Sequence, residues 1–283
     1  MRELDALGSR ALAERIEAHS LLARAASAVG SADSILAEAA QVLTVAAAPA
    51  VRDSLVAQRT EAVNEAALLI ADVYVSRRES VHARALLDSM EARFPDLPGL
   101  PVMLRAANRL YSMIGYSAPS LRADAWIGGE SDVRRSWQGK VHVLEFTAHW
   151  CGPCRLSYPV LADIQRRFGP RDLGLVLETQ TYGYFGSDTA LTVADELERD
   201  RALFSRELPA AAAIAVALPP AGQHVEWLDP NKIAFGVKSL PVFAVVDRTG
   251  TIRDIWFGWM ASSAARLNDD VRVALSATAD HTR

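Results

Sequence analysis

Cysteine is nearly missing from this chain: there are two, Cys151 and Cys154, in 283 residues. A small secreted fold stapled by disulfides would carry more, spread along its length. Two cysteines cannot build a four-cysteine zinc site. None of the six histidines shows the His-x3–5-His pairing of a zinc finger, so no metal site is expected. Lysine is also scarce, with only Lys140, Lys232 and Lys238 among 30 basic residues. The net charge of −4 lacks the basic excess of a nucleic-acid-binding protein, and no nucleic-acid partner is expected. No run of about 18 uncharged apolar residues is present, so no transmembrane helix is expected. The first twenty residues are charged throughout and hold no apolar stretch of the kind an export signal needs. As written, the chain is expected in the cytoplasm. A periplasmic or other extracytoplasmic site is the alternative if the true start carries a signal peptide.

What is present is a half-apolar composition, 50% hydrophobic and 23% charged, which can fill a core and argues against disorder. The texture changes near residue 118. Residues 1–118 hold 27 alanines and no tryptophan or lysine, with Pro and Gly scarce before Pro95, which favours long helices. Helices are predicted over 3–29, from a cap at Ser31-Ala-Asp33 to about 48, from Arg52 to Tyr74, from Glu79 to Phe94 and from Leu100 to Tyr111. Pro49 should end the second. The third carries Leu55, Val56, Ala62, Ala66, Leu69 and Ile70 at the spacing of one apolar stripe. This 1–118 domain reads as a helical bundle, with tetratricopeptide-like hairpins as the alternative, and could serve a protein partner.

Residues 119–283 read as a second, α/β domain. Strands are predicted at Val141–Phe146, Leu173–Gln180, Ala211–Leu218, Val242–Asp247 and Thr251–Trp256, the last two joined by a turn at Arg248-Thr-Gly250. Helices are predicted over Pro153–Phe168, Asp188–Glu207, about Trp227–Phe235 and Ser262–Ala277. Alternating strands and helices ending in a hairpin imply a mixed sheet covered on both faces.

Trp150-Cys151-Gly152-Pro153-Cys154 sits where a strand ends and a helix opens. A thiolate there is stabilised by unpaired backbone N–H groups and the helix dipole. Cys151 should therefore be the exposed nucleophile that attacks a substrate disulfide. Cys154, one turn further in, should be buried and should resolve the mixed disulfide. Pro153 fits the first helical turn, where no N–H is missed.

From Pro119 onward the chain resembles the TlpA/ResA group of thioredoxin-fold thiol–disulfide oxidoreductases. Four features carry the resemblance in order: the strand-then-WCGPC junction, Pro159 five residues past Cys154, Ser239-Leu240-Pro241 before a strand, and the closing DRTGTIRDIWFGW hairpin. It implies a thioredoxin fold, a mixed central sheet with helices on both faces, here preceded by an all-α region. It implies a cis bond before Pro241 and a docking surface made by Trp150, Gly152, Pro153, Leu240 and Pro241. It implies no cofactor beyond the redox-active Cys151–Cys154 disulfide. Glu145 stands six residues before Cys151, where thioredoxin keeps a buried acid, and would take the proton of Cys154. Many TlpA-like proteins place a glutamate three residues after the second cysteine. Here that residue is Ser157. His149 could tune the Cys151 thiolate if protonated. Tyr182 and Tyr184, in an insertion, could edge a groove.

The function expected is thus that of a thioredoxin-like protein-disulfide reductase, with a protein disulfide as substrate and an electron-donor reductase as partner. The alternative is a redox-sensing scaffold, in which the thioredoxin module regulates partner binding by the helical domain.

Overall fold

The computed structural model describes residues 2–48, 56–128, 133, 136–220 and 228–277. The chain divides into two compact units, Met1–Ser112 with Met260–Ser262, and Met113–Trp259 with Ser263–Arg283.

The first unit contains α1 (Arg2–Ala28), α2 (Ala32–Ala46), α3 (Val56–Ser76), α4 (Ser80–Arg93) and α5 (Leu100–Tyr111). Each helix packs on the next, and α3 also touches α1 and α5. Alanines at the seams, among them Ala39, Ala67, Ala71 and Ala83, are fully buried. Their small side chains let the helices approach, and Val63, Leu87, Met90 and Phe94 fill the volume. Of the stripe read on α3, Ala62, Ala66 and Ile70 are buried, whereas Val56 is exposed. Gly30 takes a left-handed φ of 73°, which turns the chain between α1 and α2. Ser31 precedes α2 but makes no side-chain cap, because its hydroxyl bonds Ser34 Oγ instead, 2.8 Å away. Pro49, Arg52 and Leu55 lie outside the described residues.

The second unit contains β1 (Ala125–Ile127), β2 (Val141–Phe146), α6 (Gly152–Arg155), α7 (Tyr158–Phe168), β3 (Leu173–Gln180), β4 (Tyr184–Phe185), β5 (Asp188–Thr189), α8 (Val193–Glu207), β6 (Ala212–Ala217), α9 (Pro230–Phe235), β7 (Val242–Val246), β8 (Ile252–Phe257) and α10 (Ser263–Ser276). Six strands form one mixed sheet in the order β1-β6-β3-β2-β7-β8. β2, β3 and β6 run parallel, while β7, β8 and β1 join antiparallel. Helices cover both faces, so β2, β6 and β7 are buried at every position. Asp247 holds the β7–β8 turn by accepting the N–H groups of Thr249 and Thr251 at 2.8 and 3.1 Å.

Two elements differ from the sequence reading. The helix expected from Pro153 to Phe168 is broken, because Pro159 has no N–H to give the carbonyl four residues back. A short α6 therefore ends at Arg155 and α7 starts at Tyr158. The helix expected from Asp188 begins at Val193. Thr192 caps it, accepting the Asp195 N–H at 3.2 Å, and Asp188–Thr189 pairs with Tyr184–Phe185 as a small hairpin.

Candidate active site

The carboxyl end of central strand β2 runs through residues 147–150 into α6. Cys151 is the N-cap of α6, and its sulfur accepts the Cys154 N–H at 3.2 Å. The two cysteines are joined as a disulfide with their Cα atoms 5.3 Å apart. Cys154 is fully buried, as the motif requires. Cys151 is not the exposed residue expected: in the disulfide it is only 2% exposed. The sulfur is turned inward by its bond to Cys154 and by the N–H it caps. The surface above it is made by Gly152 and Pro153, both exposed, and by Trp150, 49% exposed.

Glu145 lies on β2 between Leu177 of β3 and Phe243 of β7. It is completely buried. Desolvation raises its pKa well above the ordinary carboxylate value, and the contact with Ser157 offsets only part of that rise. Ser157 Oγ lies 2.7 Å from Glu145 Oε2 and 2.8 Å from the Cys154 carbonyl oxygen. A hydroxyl has one proton, and a carbonyl can only accept. The Ser157 hydroxyl donates to Glu145, the bond that lowers the pKa of the acid, and the Cys154 carbonyl shares that proton as a second acceptor. Desolvation, the larger effect, thus favours a neutral Glu145 beneath the oxidised pair. Glu145 Oε1 has no partner among the described residues.

The Leu240–Pro241 bond is cis. Leu240 packs, half-buried, on the core cluster that contains Cys151 and Cys154, and Pro241 is buried. Trp150 meets Tyr182 edge-on at 5.5 Å. His149 stacks on Phe185 at 4.8 Å and meets Tyr184 edge-on at 5.2 Å. A pocket of about 530 Å³ opens beside the disulfide. Trp150 and Arg155 line one part of it, with Tyr184, Phe185, Arg199 and Arg206 around the rest. His149 does not tune Cys151 as an imidazolium. Burial first, and the Arg155 charge second, lower its pKa to about 4.

Sequence reading placed Cys151, Cys154, Glu145, Trp150, Gly152, Pro153, Leu240 and Pro241 in the site. It missed Ser157 as the link to Glu145, and Phe185, Arg199 and Arg206 in the pocket. The three-residue step from Cys154 to Ser157, one helical turn, was the available signal for the first. The pocket arginines stand on α8 and carry no motif.

No family model matches the chain. It is 33% identical over 76 residues to a thioredoxin H-type of Oryza sativa subsp. indica, a stretch covering 24% of this chain and 62% of that protein. It is 28% identical over 141 residues to Protein FixW of Rhizobium leguminosarum, covering 49% of this chain and 58% of that protein. The matches thus span less than two thirds of either relative. Among solved structures, a thiol-disulfide isomerase from Corynebacterium glutamicum is similar, with 21% identity and a TM-score of 0.44, over 57% of this chain and 98% of that one. The strand order and the β2–Cys151–α6 junction decide the architecture. The sheet unit has the thioredoxin fold. In this thioredoxin-fold unit the redox group is the chain's own disulfide, set where the central parallel strand meets a helix start.

Proposed function

We propose that the chain is a TlpA-like thiol–disulfide oxidoreductase that reduces protein disulfides. The observation that carries this reading is the Cys151–Cys154 disulfide at the start of α6, above a buried Glu145 reached through Ser157. In the reduced protein the Cys151 thiolate attacks a substrate disulfide. One substrate thiolate leaves and Cys151 is joined to the other sulfur. Cys154 then gives its proton to Glu145 and attacks the Cys151 sulfur. The second substrate sulfur leaves as a thiolate that takes its proton from solvent, and the protein is left as the disulfide over a protonated acid, the state described above. Two electrons from a donor dithiol restore the thiols. Trp150, Gly152, Pro153 and Leu240 receive the substrate segment, supported by their position around the disulfide.

The test is the equilibrium potential of the pair together with turnover of insulin disulfides, with Cys151→Ser as control. A potential below roughly −220 mV with turnover is expected. A potential above roughly −150 mV would make the protein an oxidant. A reversible disulfide without turnover would favour the sensor reading, in which redox state governs a partner of the helical unit.

A further inference from the structure

Glu196 and Asp200 stand four residues apart on α8, so one helix face carries both carboxylates. That face points inward, where it meets His149 from the β2–α6 loop. The three side chains are 0%, 1% and 3% exposed, respectively. His149 Nδ1 lies 3.6 Å from Asp200 Oδ1 and 3.9 Å from Glu196 Oε1. Both separations exceed an N–H···O hydrogen bond, which runs to about 3.2 Å. All three ligand atoms lie within 4.8 Å of one another. Neither ring nitrogen of His149 and neither oxygen of Asp200 has a hydrogen-bond partner among the described residues.

Buried carboxylates without protons to accept are costly, and two side by side repel. The nearby arginines are engaged elsewhere. Arg199 pairs with Asp188, and Arg155 pairs with Glu207 and the His149 carbonyl. Glu196 is nonetheless held in a defined pose. It accepts the Tyr182 N–H at 2.6 Å on one oxygen and the Gly183 N–H at 2.7 Å on the other. Carboxylates fixed in this way are what oriented metal ligands look like.

We propose that His149, Glu196 and Asp200 form a binding site for a divalent transition cation, of which Zn²⁺ is the type. Bonds of about 2.1 Å in a tetrahedron place ligand atoms about 3.4 Å apart. The two His149 distances, 3.6 and 3.9 Å, need to close by about 0.2 to 0.5 Å, and the widest separation in the set, within 4.8 Å, must close further by side-chain rotation. One imidazole with two carboxylates suits zinc or its neighbours better than calcium or magnesium, which take oxygen throughout. Phe185 and Tyr184 supply the apolar shell, and the pocket beside Trp150 reaches His149 from solvent. A bound cation would tie α8 to the residue two places before Cys151. This inference stands apart from the redox reading, since none of the three residues takes part in thiol exchange.

The experiment uses the full-length protein, metal-stripped and held as the disulfide so that no thiol competes. Titration with Zn²⁺ by calorimetry is expected to show one ion per chain, released by a chelator. Asp200→Asn, nearly isosteric, and His149→Ala should each weaken binding by at least about tenfold, a loss that even outer-shell changes can cause. Co²⁺ added to the wild-type protein should give the visible bands of a four- or five-coordinate site without a sulfur charge-transfer band. That readout holds whether or not a variant folds. Absence of Zn²⁺ binding to the oxidised wild-type, binding undiminished in both variants, or a cobalt spectrum of the hydrated ion would each overturn the proposal.

Discussion

Glu145 carries a cost that its surroundings only partly relieve. Its native pKa lies well above the ordinary value, so the native state holds a proton that the unfolded chain releases. The stability it leaves intact is fully present below about pH 4.3 and is lost as pH rises toward the native pKa. Each unit of elevation is worth about 1.4 kcal/mol. Glutamine keeps the shape and removes the charge. Glu145→Gln should therefore melt above the wild-type protein at alkaline pH, with the gap closing toward about pH 4 in thermal scans. The same variant should slow resolution of the mixed disulfide while sparing the first attack by Cys151. Quenched-flow trapping of the Cys151 adduct reads the two steps separately, and equal slowing of both would count against the role. At this scale the sequence was informative where spacing decides, as in the six residues from Glu145 to Cys151; the three-residue step from Cys154 to Ser157 carried a signal that was not used. The sequence misled on His149, read as a tuner of Cys151 if protonated, because the burial that lowers its pKa comes from aromatic rings thirty-odd residues further along the chain.

At the scale of elements, α8 depends on its first turn. Thr192 accepts the Asp195 N–H, and Asp195 and Glu196 lie where the dipole favours negative charge. Thr192→Ala should cost about 1 kcal/mol, read as a lower urea midpoint with unchanged slope. In the helical unit, Arg59 joins three elements. From α3 it donates to the Ala46 carbonyl at the end of α2, at 2.9 and 3.2 Å, and pairs with Asp96 before α5 at 2.5 Å. Arg59→Ala should cost about 1.5–3 kcal/mol, the range for hydrogen bonds to a charged group, and should speed amide exchange in α2 and α3. Long elements were legible because period and caps agree over many residues: β2, β3 and α5 end where the pattern ends. Short ones were not. β1 has three residues and β5 two, too few for alternation to register. Asp188 before an acidic run looked like a helix start, and only its pairing with Phe185 makes it a strand.

For the whole molecule, redox state and folding are one equilibrium. A low potential means that the native fold favours the disulfide more than an unstructured Cys-x-x-Cys does. Linkage then requires the disulfide to stabilise the fold by the same free energy, about 1.4 kcal/mol for each 30 mV. The oxidised protein should melt at the higher temperature in calorimetry with and without reductant. The reverse order would mark an oxidant. The burial of Cys151 bears on rate rather than equilibrium. In the oxidised protein Cys151, whose sulfur a donor must strike, is only 2% exposed as a residue. A small thiol gains little from its abundance, because it cannot line up with the bond it must cleave. A partner that settles on Trp150, Gly152 and Pro153 and uncovers that sulfur gains the whole reaction. On the proposed reading, choice of donor becomes a matter of recognition, and the bulk thiol pool is kept from short-circuiting the cycle.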